Sequence, residues 1–156
     1  MGRVNAFLLL AVFLPALLSA HAADAGKKPV SPPSELCFKQ ICFEIETAAA
    51  DAERRRGLMH RDALKPREAM LFLFEKEGIL PIWMKNVRFP LDILWLDRQG
   101  TIIHLEENVP PCVTRECPSY YAPVPAAYVL ETAAGSIRLY GLEKGHKADL
   151  TAFSAS

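Results

Sequence analysis

Over residues 36–47 apolar side chains fall on alternate positions, with Ile41, Phe43 and Ile45 sharing one parity of the second arm. A period of two carrying Phe and Ile predicts a β-hairpin with Lys39-Gln40 at its tip. The pattern changes at Thr47. Ala48, Ala49, Ala50, Ala52 and Glu53 are strong helix formers, Asp51 and Glu53 suit a first turn, and Thr47 stands where a cap is needed. That helix is predicted to end near Arg56, because Gly57 follows. Residues 69–74 form a continuous apolar run, too short for a buried helix and rich in Phe, which predicts a central strand. A charged turn over 75–78, a strand over 80–85, a break at Pro90, a strand over 91–96, a turn over 97–100 and an antiparallel return over 101–106 come next. Residues 109–125 hold five prolines, two cysteines and Tyr120-Tyr121, which predicts an ordered, stapled loop. A strand over 128–132, a short helix over 133–140 facing inward through Ile137 with Leu139 or Tyr140, a turn over 141–145 and a short last strand over 149–153 complete the pattern. Many strands, two short helices and no regular β-helix-β alternation predict an α+β domain, mainly antiparallel sheet, curled toward a barrel.

The start of the chain follows other rules. Arg3, the apolar stretch 6–18 and the small residues Ala20 and Ala22 read as a cleavable signal peptide over residues 1–22. The apolar stretch is shorter than the roughly 20 residues that span a bilayer, so no stable membrane anchor is expected after cleavage. Residues 23–35, with Pro29, Pro32, Pro33 and Gly26, read as a flexible linker, which leaves 36–153 as a single domain. The expected address is periplasmic or extracellular.

Cysteine usage agrees with export. The four cysteines stand as Cys37-x4-Cys42 and Cys112-x4-Cys117. Three connectivities exist, and the two local ones are preferred. With a Lys39-Gln40 tip, Cys37 and Cys42 face each other one pair below the turn, in reach of bridging. A four-thiolate zinc site is the alternative, but the spacing is loose for zinc and oxidation competes outside the cytosol. No cofactor or metal site is expected. Lys plus Arg and Asp plus Glu are equal at 18 each, so the composition carries no basic excess for nucleic acid.

Several motifs together resemble a known family. Arg56-Gly57-Leu58-Met59-His60-Arg61, Met70-Leu71-Phe72-Leu73-Phe74, Trp83-Met84-Lys85-Asn86, Pro90-Leu91-Asp92-Ile93, and Val129-Leu130-Glu131 followed by Ala134-Gly135 are similar to the ordered motifs of DUF192, also called UPF0127, a family of small prokaryotic proteins. The resemblance covers residues 36–150. It implies a compact, mostly β fold and frequent export, and no established activity. The chain has Ala69, Val87 and His146 where the family pattern has Gly, Thr and Asp.

The stretch 82–93 holds the candidate chemistry. A lysine and an amide beside Trp83 and Met84 must find partners, because an unpaired buried charge costs several kcal/mol. Asp92 is the expected counter-ion for Lys85 or an arginine. One reading is a structural ion-pair network that fixes the strand crossing at Pro90. The reading carried forward is a cleft in which Met59, Trp83 and Tyr120 form walls while Arg61, Lys85, Asn86 and Asp92 meet a small polar or anionic ligand, or an envelope-protein partner. The enzymatic alternative is a hydrolase or lyase using Lys85 as base and Asp92 as its orienter.

Overall fold

In the computed structural model, residues 1–2, 34–150 and 153 are described. Residues 3–22 of the expected signal peptide and residues 23–33 of the expected linker therefore lie outside the described residues. The elements below belong to the unit 31–156, which is distinct from residues 1–30.

The opening hairpin forms as its alternation requires. Strands β1 (Ser34–Phe38) and β2 (Ile41–Ala48) pair antiparallel, with Cys37 directly opposite Cys42. Their Cα atoms are 4.0 Å apart and bridged. Lys39 at the tip takes φ 54°, as a tight reversal demands. The strand starts at Ser34, inside the stretch expected to be linker.

Strand β2 runs through Thr47, so that residue does not cap the helix. Helix α1 (Asp51–Arg56) starts after Ala50, and the Glu53 carboxylate accepts the amides of Ala49 and Ala50 at 2.9 Å each. A glutamate reaching back over its own N-terminus satisfies orphan amides without help from Thr47. Gly57 ends the helix as expected, with φ 45° and its amide bonded to the Glu53 carbonyl.

Strand β3 (Glu68–Gly78) absorbs the predicted charged turn, and its register shifts between Leu73 and Gly78. The strand expected over 80–85 shrinks to β4 (Ile82–Trp83), which pairs with β7 (Ser119–Tyr120) in a separate ribbon. Strands β5 (Leu91–Leu96), β6 (Ile102–Val109) and β8 (Ala126–Ala133) join β1 to β3 in one sheet, in the order β1-β2-β3-β8-β5-β6. Only the β2–β3 pairing is parallel, so the sheet is mixed, and it is not closed into a barrel. Residues 147 and 148 make single bridges to Thr101 and Phe38; of the expected last strand over 149–153, residues 149 and 150 are not in a strand and 151–152 lie outside the described residues.

Both faces of the sheet are covered, which is why every residue of β5 is buried. One core joins Leu36, Phe43, Leu71, Leu94 and Leu130 to Ile137 of helix α2 (Ser136–Tyr140). The other joins Met70, Phe72, Ile93, Trp95 and Val129 to Leu58, Ile82 and Met84. Trp95 is fully buried, and its indole donates to the Leu80 carbonyl at 2.9 Å. Ile137 faces inward as expected, whereas Leu139 is exposed.

Candidate functional site

The second core is incomplete where α1 and its following turn meet β4. A cavity of about 270 Å³ opens there, lined by Leu58, Met59, Phe72, Phe74, Ile82 and Trp83, with Arg54, Arg55 and Arg56 along its helical side and Glu131 from β8. Local chemistry sets each wall. Gly57 lets the chain turn down onto the sheet, and a Cβ there would meet the Phe72 ring at 3.2 Å. Arg54 is spent on structure: it donates to the Leu73 carbonyl at 2.8 Å, lies 5.1 Å from the Phe74 ring centroid, and pairs with Asp51. Trp83 stays 43% exposed at the edge of the two-stranded ribbon.

Beyond β4 the chain reverses at Met84, whose carbonyl accepts the amides of Val87 and Cys112 at 3.2 Å each. Asn86 takes φ 58° in this turn, and its carbonyl accepts the amide of His60, itself at φ 64°. Asn tolerates the left-handed region better than most residues, so a backbone requirement accounts for an amide at this point of the Trp-Met-Lys-Asn block. The Cys112–Cys117 bridge, with Cα atoms 5.8 Å apart, closes the chain just before β7.

Glu131 is the polar group that stands out. It is 4% exposed, opposite Met70 and Ile93 in the centre of the sheet, and its Oε2 has no hydrogen-bond partner. Burial pushes its carboxyl up to about 8, and the positive charge of Arg61 pulls weakly the other way. At neutral pH the group is chiefly a protonated acid, able to donate one hydrogen bond and accept another.

The DUF192 family model, described as "Uncharacterized ACR", matches residues 36–150. The chain belongs to this family. The chain is also similar to two solved structures. One, a Sinorhizobium meliloti 1021 protein proposed to be a transcription regulator, is 31% identical with a TM-score of 0.66, over 74% of this chain and 89% of that one. The other, a protein of unknown function from Novosphingobium aromaticivorans DSM 12444, is 28% identical with a TM-score of 0.67, over 78% of this chain and 89% of that one. No curated protein matches the chain.

The DUF192 motifs do not all converge on the cavity. Met59 and Trp83 line it. Lys85 and Asn86 flank it: the Lys85 ammonium sits 5.4 Å from the Trp83 ring centroid, and the Asn86 amide contacts the Met59 sulfur at 4.0 Å. Tyr120 pairs with Ile82 and packs against the core below, so Ser119 lines the cavity in its place. Arg61 is held by Glu46 at 2.6 Å beside a separate hollow.

Asp92 does not line the cavity. Strand alternation sends it to the α2 face, opposite Ile93 and Trp95. Its oxygens accept the amides of Asn108 and Ile137 at 2.8 Å each. Among the described residues it is therefore no counter-ion for Lys85 or an arginine, and neither the ion-pair network expected through Asp92 at Pro90 nor the Lys85–Asp92 catalytic pair is built. Glu131 was missed. The available signal was an acid inside the apolar strand pattern 128–132, where an unpartnered carboxylate is costly enough to need a reason.

Proposed function

We propose that this is an exported accessory protein that binds a small, mainly apolar molecule between α1 and β4, with Glu131 hydrogen-bonding the ligand's inner polar group. The observation that carries the reading is a buried carboxyl, one oxygen of which has no hydrogen-bond partner, in an apolar cavity that opens to solvent. Leaving such a group unsatisfied costs about 1–3 kcal/mol, a cost that a ligand supplying the missing partner offsets. Apolar walls with one or two placed polar groups are the common make-up of ligand pockets. The volume of about 270 Å³ is just below the usual range of about 300–1,000 Å³, so the ligand is small. Export is supported by the leader pattern and by two closed cysteine pairs, which persist in oxidising compartments. Among the described residues no helix is long and apolar enough to cross a membrane. The regulator description of the Sinorhizobium relative is not carried over, because the 18 basic and 18 acidic residues here give no excess positive charge for nucleic acid.

A thermal-shift screen against small amphiphiles, aromatic acids, sugars and nucleotides tests the reading. A true ligand at about 100 times its Kd adds roughly 2.7 kcal/mol of stability. The shift should vanish in Glu131→Leu and Trp83→Ala while both variants remain folded. Ligands that stabilise Glu131→Leu as much as the wild type would place binding elsewhere and overturn the proposal.

A further inference from the structure

The charges around the cavity are unevenly spent. Asp51 pairs with Arg54, and the Glu53 carboxylate is occupied by the Ala49 and Ala50 amides. Farther out, Arg61 is neutralised by Glu46 and Arg88 by Asp62. Arg55 and Arg56 remain: both line the cavity, both are exposed, and neither has an ion-pair partner among the described residues. Lys85 adds a further cation at the Trp83 ring, again with no carboxylate among the described residues. Among the described residues Glu131 is the one acidic group in the lining.

The mouth is therefore positive and the interior apolar. Resting on the ligand-binding reading above, we infer that the ligand is a small amphiphilic anion, its apolar body against Phe72, Phe74 and Trp83 and its anionic head held at the mouth by Arg55 and Arg56. A cationic head would meet unbalanced like charge at the same place. A neutral head would leave two guanidinium groups unused. A carboxylate matches the planar fork of arginine, which can grip both oxygens at once. The interior then holds no formal charge at neutral pH to oppose an anion, while the Glu131 carboxyl remains free to bond a polar atom carried inward on the apolar body.

Isothermal titration of the full chain with hexanoate, hexan-1-ol and hexylammonium tests this, because the three share one apolar body. Hexanoate should bind more tightly than hexylammonium by roughly tenfold or more, the factor that one charge-assisted hydrogen bond supplies. An Arg55→Ala/Arg56→Ala double variant should erase that preference, weakening hexanoate far more than hexan-1-ol. Alanine is a good helix residue, so α1 should survive the exchange. Equal affinity for all three probes, or a preference that persists in the double variant, overturns the anionic head and leaves the pocket standing. Absence of binding by any probe at millimolar concentration, or binding that Trp83→Ala and Glu131→Leu do not alter, overturns both.

Discussion

Asp92 and Glu131 lie on neighbouring strands, one register step apart, and both are buried, yet they face opposite sides of the sheet and meet opposite fates. On the α2 face Asp92 joins the start of a helix to the irregular end of β6 through two backbone amides. On the α1 face Glu131 has an oxygen with no partner and a cavity in front of it. Burial of a carboxyl is thus common to structure and to binding. What separates them is where each oxygen finds its hydrogen bonds. The α2 face is closed and its acid is a fastening. The α1 face is left open by a six-residue helix with no buried side chain, and its acid is available.

The largest difference should appear in pH dependence. Between the ordinary carboxyl value of 4.5 and its folded value of about 8, Glu131 keeps a proton that the unfolded chain has lost. Stability from this group should therefore fall as pH rises through that window, by several kcal/mol in all, and level off above about 8. Urea midpoints at pH 5, 7 and 8.5 should decline in the wild type and flatten in Glu131→Gln. A wild-type slope retained in that variant would assign the effect to other groups.

Next in size, Asp92→Ala should cost about 1–3 kcal/mol for each of the two amides it strands, read from the same midpoints at pH 7. Glu131→Leu, removing an acid of similar burial, should cost little at pH 7 and stabilise at pH 8.5. Equal losses in the two variants would erase the distinction between the faces.

Opening either disulfide by Cys→Ser pairs should cost about 2 kcal/mol through loop entropy. The sharper contrast lies in ligand binding. Cys112–Cys117 adjoins the ribbon that carries Ser119 and Trp83, so its loss should weaken the pocket, whereas loss of Cys37–Cys42 should spare it. The smallest effect is expected for Lys85→Met, where only a cation–π contact of about 1 kcal/mol or less is lost. A loss of several kcal/mol there would reveal a structural charge on the α1 face after all.

Local signals were legible wherever neighbours in sequence decide. The β1–β2 hairpin, its Cys37–Cys42 pair, the buried strand around Phe72, the stop at Gly57 and the buried Trp95 all follow from alternation, apolar runs and turn geometry within a few residues. Less legible was the helix start, because a glutamate three residues in displaced the threonine cap, and β4, whose partner Ser119–Tyr120 lies far along the chain. The candidate site was half legible. Met59 and Trp83 belong to it, Lys85 and Asn86 border it, and Asp92 was assigned by proximity in sequence to a site on the other side of the sheet.

By itself the amino-acid order determined most element types, the family, a preference for the local cysteine pairs and the residue kinds available for chemistry, since each rests on short-range periodicity or composition. Only the tertiary structure decided which face each acid occupies and which polar atoms go unpaired. Those outcomes depend on strand parity combined with long-range pairing, so that Asp92 finds Ile137 and Asn108 while Glu131 faces a cavity that Phe72 also lines. No count of apolar and polar positions contains that information, because a hydrogen bond is settled by the partner that folding brings and not by the residue that offers it.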